Sequence, residues 1–292
     1  MATITTGGNF PTELVTDMFN AVTGHSTLAK LSDRKPMPFS GLTEFVFSAE
    51  NEASLVLEGN AKPAFEATAT PVIIKPLKFV YQQRVSDEFV KCSDEKRLTY
   101  LETFSDGFAR KIARGFDIAA MHGKDPKTGN TVSNIGDFDT LVDSMDFEQT
   151  MTASEAITAA IALMDGVDVN GIALSPRMAT ALSSEKESGV TQFPEFRFGQ
   201  NPDSFYGMKS DVNSTVSFSS GTKFDVAIIG DFANAFKWGY VEDIPLEVIK
   251  YGDPDGAGRD LKRYNEVCLR SEAYIGWGIL NDDAFRRIVV GE

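Results

Sequence analysis

Histidine and cysteine are nearly absent from this chain of 292 residues, which carries two of each. His25 and His122 stand far apart, and neither belongs to an HExxH or HxH pattern or lies beside a cysteine at metal-ligand spacing. Cys92 and Cys268 make no CxxC pair, which excludes a disulfide scaffold and a cysteine-rich zinc module. GxSxG, GxxxxGK[ST] and GxGxxG are also missing, so a conventional small-molecule enzyme has little support and no cofactor or metal motif is present. No apolar run approaches the roughly 20 residues of a membrane span. The opening MATITTGGNFPTELV lacks the basic start and apolar core of a signal peptide. Basic residues are in the minority, 28 against 42 acidic, for a net charge of −14, which argues against a general nucleic-acid binder. What is left is a cytosolically made, soluble, acidic protein, 42% hydrophobic, long enough for one large domain or two modest ones.

The chain divides by pattern. Residues 1–35 read as an extended arm with one short helix, since Leu14, Val15, Met18, Phe19 and Val22 fall at helical spacing. Residues 36–84 read as a long hairpin loop punctuated by Pro36, Pro38, Gly41, Gly59, Pro63, Pro71 and Pro76, with β-rich runs at 44–47 and 70–84. The part between, 48–69, is polar and acidic and has little core of its own. Loops of that length usually make functional contacts.

Residues 85–136 hold the strongest local signal. Ser86-Asp87-Glu88 and Ser93-Asp94-Glu95 are capping devices. Leu98, Leu101, Phe104, Phe108, Ile112, Phe116 and Ala119 then recur every three or four residues, predicting a spine helix of about 27 residues and about 40 Å that stops at Gly123. His122 reads as a cation at the helix C-terminus, and His25 as a polar loop residue. Residues 137–243 read as a separate α/β unit. Thr152 to Glu155 has capping-box spacing, strand 171–174 runs into Ser175-Pro176, 185–221 is loop-rich, and 225–230 and 236–240 are strands. Residues 244–292 supply returning strands at 245–251, 265–277 and 284–290. Gly252-Asp253-Pro254-Asp255-Gly256-Ala257-Gly258 is faintly like a calcium loop but lacks the other ligands, and reads as a solvated turn.

That order of parts resembles the major capsid protein of tailed bacteriophages, the Hong Kong 97-like fold family. Its local marks are Leu57-Glu58-Gly59 with Lys62-Pro63, and Arg84-Val85-Ser86-Asp87-Glu88. Further marks are Ala173-Leu174-Ser175-Pro176, Gly230-Asp231-Phe232, and Asn265 through Ala284-Phe285. The resemblance covers nearly the whole chain. It implies an α+β protein with an N-terminal arm, an extended loop, a peripheral domain built on the spine helix and last strands, and an axial domain from 137–243. It implies no enzyme but a subunit that self-assembles into hexamers and pentamers around double-stranded DNA, in a virion capsid assembled in the bacterial host cytoplasm. The portal protein is an implied partner, with separate scaffolding and decoration proteins as further ones. Only about 35 residues precede the loop, so no fused scaffold is expected in this chain. Physical argument agrees: an arm and a loop without a core gain stability by burying apolar area on neighbouring copies, and a charge of −14 avoids tight binding of packed genome.

Some members of the family close their shells covalently, and by local pattern Lys62, Asn265 and Glu272 match the lysine, asparagine and acid of that reaction. In that reading Lys62 attacks the Asn265 amide of a neighbour while Glu272 takes the proton. The alternative is a solvated Lys62, a strand-edge Asn265, and a Glu272 paired with Arg270 or Arg286. Asn265 and Glu272 are seven apart, on opposite faces of a regular strand, so a bulge is needed to bring them together. Two rivals remain: an encapsulin-type bacterial compartment, which usually begins with a helix and carries a cargo groove, and a soluble α/β hydrolase or binding protein, for which no polar constellation is visible.

Overall fold

The computed structural model describes residues 22, 24–48, 55–56, 58, 62, 68–88, 94–218, 223–241 and 246–291. The helix expected over Leu14–Val22, apart from Val22 itself, and most of the loop tip lie outside the described residues. The fold is a mixed α+β arrangement of two main sheets with helices between and beside them.

The first sheet is built from β1 (Arg34–Pro36), β4 (Leu77–Ser86), β12 (Phe236–Tyr240), β13 (Leu246–Ile249) and β14 (Glu266–Ile279). Strand β14 is its organiser. It pairs antiparallel with β4 from Glu266↔Ser86 to Ile275↔Leu77, and with β13 and β12 over Cys268–Ser271 and Ile275–Ile279. Preceding β4 are β2 (Leu42–Ser48) and β3 (Thr68–Ile74), which among the described residues pair only with each other, in register from Leu42↔Ile74 to Ser48↔Thr68. The strand pair is set off from the sheet by Lys75-Pro76, because proline cannot donate to a ladder.

The second sheet has the order β5 (Ser144–Asp146), β15 (Phe285–Gly291), β11 (Lys223–Gly230), β6 (Gly171–Leu174), β10 (Met208–Val212) and β9 (Ser204–Phe205). The hairpin β7 (Lys186–Glu187) and β8 (Val190–Thr191) stands apart. Here the chain crosses between the two sheets more often than the sequence boundaries suggest. Strand β12, read as part of the 137–243 unit, joins the first sheet, and β15, read as returning beside the long helix, joins the second. The physical reason is pairing: β15 fills the gap between β11 and β5, and both main-chain edges of a buried strand need partners.

Among the described residues, five helices position these sheets: α1 (Thr27–Leu31), α2 (Asp94–His122), α3 (Phe138–Leu141), α4 (Ala153–Ala162) and α5 (Pro176–Ser184). Helix α2 has 29 residues, about 43 Å at 1.5 Å per residue. Its apolar stripe, Leu101, Phe104, Phe108, Ile112, Phe116 and Ala119, is buried, while Glu102, Asp106, Arg110, Lys111 and Arg114 face solvent. The stripe packs on the first sheet, with Phe104 5.5 Å from Tyr81 and Phe116 5.3 and 5.6 Å from Trp238 and Trp277, ring centre to ring centre. The helix ends at Gly123, whose φ of +61° suits glycine, and a Cβ there would lie 2.5 Å from the Asp137 carboxylate. Thr152 and Glu155 form the expected capping box of α4, and Ser175 caps α5 with Pro176 in its first turn. Both helices cover the second sheet and enclose a separate core around Ile157, Leu174, Met178, Leu182 and Ile229.

Candidate functional site

With no catalytic constellation in the sequence, the surfaces of interest are those that leave apolar side chains in water. The paired strands β2 and β3 expose Phe45 and Ile73, and beyond them Leu55 is 91% exposed. A second patch lies around β7 to β9: Val190, Tyr206 and Phe198, the last 95% exposed. Phe198 and Tyr206 also hold the left-handed backbone at φ +58° and +49°, a costly conformation for a residue with a Cβ. Beside Tyr206, Phe193, Phe196 and Phe205 stack edge to face. Contiguous exposed apolar groups of this kind mark places where another molecule docks.

The root of the β2–β3 pair is held without side-chain bulk. Gly276 on β14 lies against Lys75 and Met37, where a Cβ would meet the Lys75 carbonyl oxygen at 2.9 Å and Met37 Sδ at 2.8 Å. Ile74, only 1% exposed, settles beside Gly278. The strand pair is thus anchored at its base, while Phe45 and Ile73 stay more than half exposed among the described residues.

The residues singled out for a cross-link are scattered. Lys62 is exposed. Asn265 is exposed in left-handed backbone (φ +55°) at the end of a 3-10 turn over Lys262–Tyr264, and its carbonyl accepts the Asp87 N–H at 2.8 Å. Glu272 sits mid-strand in β14 and pairs with Lys78 at 2.6 Å, rather than with Arg270 or Arg286. Arg270 instead donates to Gln82 and to the Pro254 carbonyl, and Arg286 pairs with Asp143 at 3.0 Å. The ladder between β14 and β4 runs without a bulge from Glu266 to Ile275. Seven residues of extended chain therefore separate Asn265 from Glu272, roughly 20 Å.

Three charged anchors were not visible in the sequence. The first joins Arg84 to the loop read as a solvated turn. Its guanidinium reaches Asp253, Asp255 and Glu266 and the Arg259 carbonyl, so an arginine takes the place a calcium ion would need. Asp253 in turn accepts the Ala257 and Gly258 N–H groups. The hydrogen bond to Arg84, ahead of the opposing cost of desolvation, holds Asp255 well below the usual carboxylate range.

The second anchor is Asp117, fully buried on α2. It accepts Ser26 Oγ at 2.6 Å, the Thr27 and Leu28 N–H groups at 2.9 and 3.3 Å, and Thr215 Oγ1 at 3.2 Å. Burial pushes its carboxyl up to about 6, against the pull of these donors. His25, read as a loop residue, lies in the helical turn just before Ser26, and its carbonyl accepts the Asn213 amide.

The third anchor surrounds His122, which lies at the end of α2 but is buried rather than solvated. Nδ1 lies 3.1 Å from Asp139 and Nε2 2.9 Å from the Thr215 carbonyl, two acceptors that favour the doubly protonated ring. Burial pushes His122 down, but Asp139 and Asp225 outweigh it and leave it raised. Burial and the adjoining Asp139 charge push Asp225 up to about 7. His122, Asp139 and Asp225 could converge on a metal ion. Arg287 Nη1, however, lies 2.7 Å from Asp139 and 3.0 Å from Asp225, so the carboxylates already hold a cation. Only the pairing of helix ends with polar residues was legible beforehand, because every one of these partners is distant in sequence.

No protein-family model and no curated protein matches the chain, whereas solved structures do. It is similar over its whole length to a structure from Mycobacterium phage Ogopogo, with 29% identity, 95% of that chain covered and a TM-score of 0.76. A structure from Gordonia phage Cozz matches the whole chain at 22% identity, with 89% of that chain covered and a TM-score of 0.68. The capsid of a native GTA particle, computed with C5 symmetry, matches 91% of this chain and 90% of its own at 13% identity, with a TM-score of 0.62. A protein with two main sheets, one long helix, an outlying strand pair and exposed apolar patches, matching phage structures end to end, has the capsid fold of these bacteriophage structures.

Proposed function

We propose that this chain is the major capsid protein of a tailed bacteriophage and that copies of it build the hexamers and pentamers of an icosahedral shell around double-stranded DNA. The observation that carries the reading is the full-length match to a phage structure at 29% identity, joined to apolar faces that the single chain leaves uncovered. In this reading residues 1–35 are the arm, 36–84 the extended loop with β2 and β3 as its shaft, α2 the spine of a peripheral domain, and 137–243 the axial domain. The exposed patch around Phe198 and Tyr206 then faces neighbouring copies. Assembly takes place in the host cytoplasm, and portal, scaffolding and decoration proteins are its natural partners. The matches to phage and GTA structures do not favour an encapsulin.

Shell closure by a cross-link between Lys62 and Asn265 of neighbouring copies is a separate, finer proposal: along the unbroken β14 ladder Glu272 stands away from Asn265 of its own chain, so the acid would come from another copy. Denaturing gels of assembled particles test it: a ladder of multimers supports the link, and one band at 31.9 kDa removes it. Electron microscopy of the expressed protein tests the main reading. Closed shells or ring-shaped capsomers support it. A protein that stays monomeric at high concentration, in the presence of a precipitant or cognate lysate, overturns it.

A further inference from the structure

Strand β4 has one free edge. Its ten residues pair with β14 on one side, from Glu266↔Ser86 to Ile275↔Leu77 without a bulge. On the other side no backbone partner meets Leu77–Val85 among the described residues. An unpaired edge of that length presents a row of N–H and C=O groups to any extended chain that arrives, and proteins usually blunt it with proline or a bulge. Neither interrupts β4. A hollow of about 320 Å³ opens beside it, floored by Phe79, Tyr81, Ile112 and Pro126, and Val80 lines it as well. Side chains on a strand alternate between faces, so three successive residues in one wall put the strand's edge in that wall. Lys111, Arg114 and Lys127 complete the rim, and none of them makes an ion pair among the described residues. Another hollow, of about 330 Å³, follows at the head of the strand, where Lys75 stands beside Ile73, Leu77, Ile135 and Trp277. Neither lining includes an Asp or Glu, in a chain with 42 acids and 28 bases.

We propose that this edge of β4 is the docking site of an extended, acidic peptide segment of a separate protein, which adds to the first sheet as a further strand. The unpaired main chain supplies the hydrogen bonds, and the apolar floors take side chains from one face of the incoming strand. The four cations favour Asp or Glu beside those side chains and reject a basic strand. A second copy of the chain is a poorer occupant. Among the described residues, the strands of three residues or more that keep a free edge have no acid to spare. Glu44 on β2 pairs with Lys35 at 2.7 Å, Asp146 on β5 with Lys223 at 2.6 Å and Glu247 on β13 with Arg270 at 3.7 Å, while β1 and β3 carry no acid. The site lies wholly within one chain. Peptide binding and shell assembly therefore succeed or fail separately, and the docking goes beyond the shell itself.

The test is hydrogen–deuterium exchange of the full-length protein titrated with a synthetic peptide, Glu-Val-Val-Glu-Glu-Val-Val-Glu, blocked at both ends so that only side chains carry charge. Exchange should slow within residues 77–86 and stay unchanged in β2 and β3. The same peptide with lysine for glutamate should bind about tenfold more weakly or worse, as should one with proline for two valines, which cannot pair as a strand. Lys111→Glu combined with Lys127→Glu changes two exposed side chains and should abolish the preference for the acidic peptide. No slowing in 77–86, equal binding of the acidic and lysine peptides, or a double variant that keeps the preference overturns the proposal. So does an edge already protected in the peptide-free protein at high concentration and released on dilution, since that places a second copy there.

Discussion

Asp117, in the C-terminal third of the long helix, accepts the hydroxyl of Ser26 at 2.6 Å across 91 residues of sequence. The same carboxylate takes the first N–H groups of α1, so one buried acid caps the short helix from outside and fixes where the arm leaves the body. Burial raises Asp117 to about 6 in the folded chain, above its unfolded value. Below about pH 4 the group is protonated in both states. From there to about pH 6 the folded state retains a proton that the unfolded state releases, so this group's contribution falls with rising pH by roughly 3 kcal/mol. Urea unfolding at several pH values should show the stability gap between wild type and Asp117→Asn narrowing between about pH 4 and 7, and a constant gap would contradict it.

His122 carries the opposite kind of charge with the same slope. Its folded value is raised, so the stability it adds is complete below about 6.5 and lost as pH climbs through the folded value. The charged groups around it are Asp139, Asp225, Asp137 and Arg287. Replacing it with glutamine should cost about 1–3 kcal/mol at pH 6 and progressively less toward pH 9, measured by thermal melts across that range.

Arg84 gathers three acidic side chains from the 252–266 segment. Arg84→Gln should leave the two main sheets intact and raise hydrogen–deuterium exchange selectively between residues 252 and 264. Exchange unchanged in that segment would mean that the turn holds itself.

Gly239 on β12 is a packing requirement. A Cβ there would lie 2.2 Å from the Lys35 carbonyl oxygen and force β1 off its parallel ladder. Gly239→Ala should lower stability by about 1–3 kcal/mol, read from denaturant midpoints, and expose the 34–36 segment to protease.

Phe198 pays for its exposure in backbone strain. Phe198→Gly relieves the left-handed conformation and should stabilise the isolated chain by about 1 kcal/mol. In the proposed shell the same change removes an apolar contact between copies, so the yield of assembled particles should fall. A variant that is more stable and assembles equally well would remove this patch from the interface.

Local elements were legible because local rules control them. The period of Leu101, Phe104, Phe108 and Ile112 forces a helix whose apolar face must be covered, Gly123 stops it, and Thr152, Glu155, Ser175 and Pro176 announce helix starts through the orphan N–H groups they satisfy or do not need. Strands 225–230 and 236–240 followed from apolar runs, yet which sheet each would join did not. Pairing is decided by neighbours tens of residues away, and β12 and β15 each end up in the other sheet from the one their position in the chain suggests.

The amino-acid order alone thus determined the long helix, the starts of α4 and α5, the strands at 225–230 and 236–240 and the acidic balance, all properties of composition or of residues a few positions apart. Only the tertiary structure decided that Arg84 fills an apparent cation loop and that His122 is buried between Asp139 and a carbonyl. Charge and hydrogen-bond partners act over a few ångströms of space, and no periodicity along the chain records which distant side chains that space brings together.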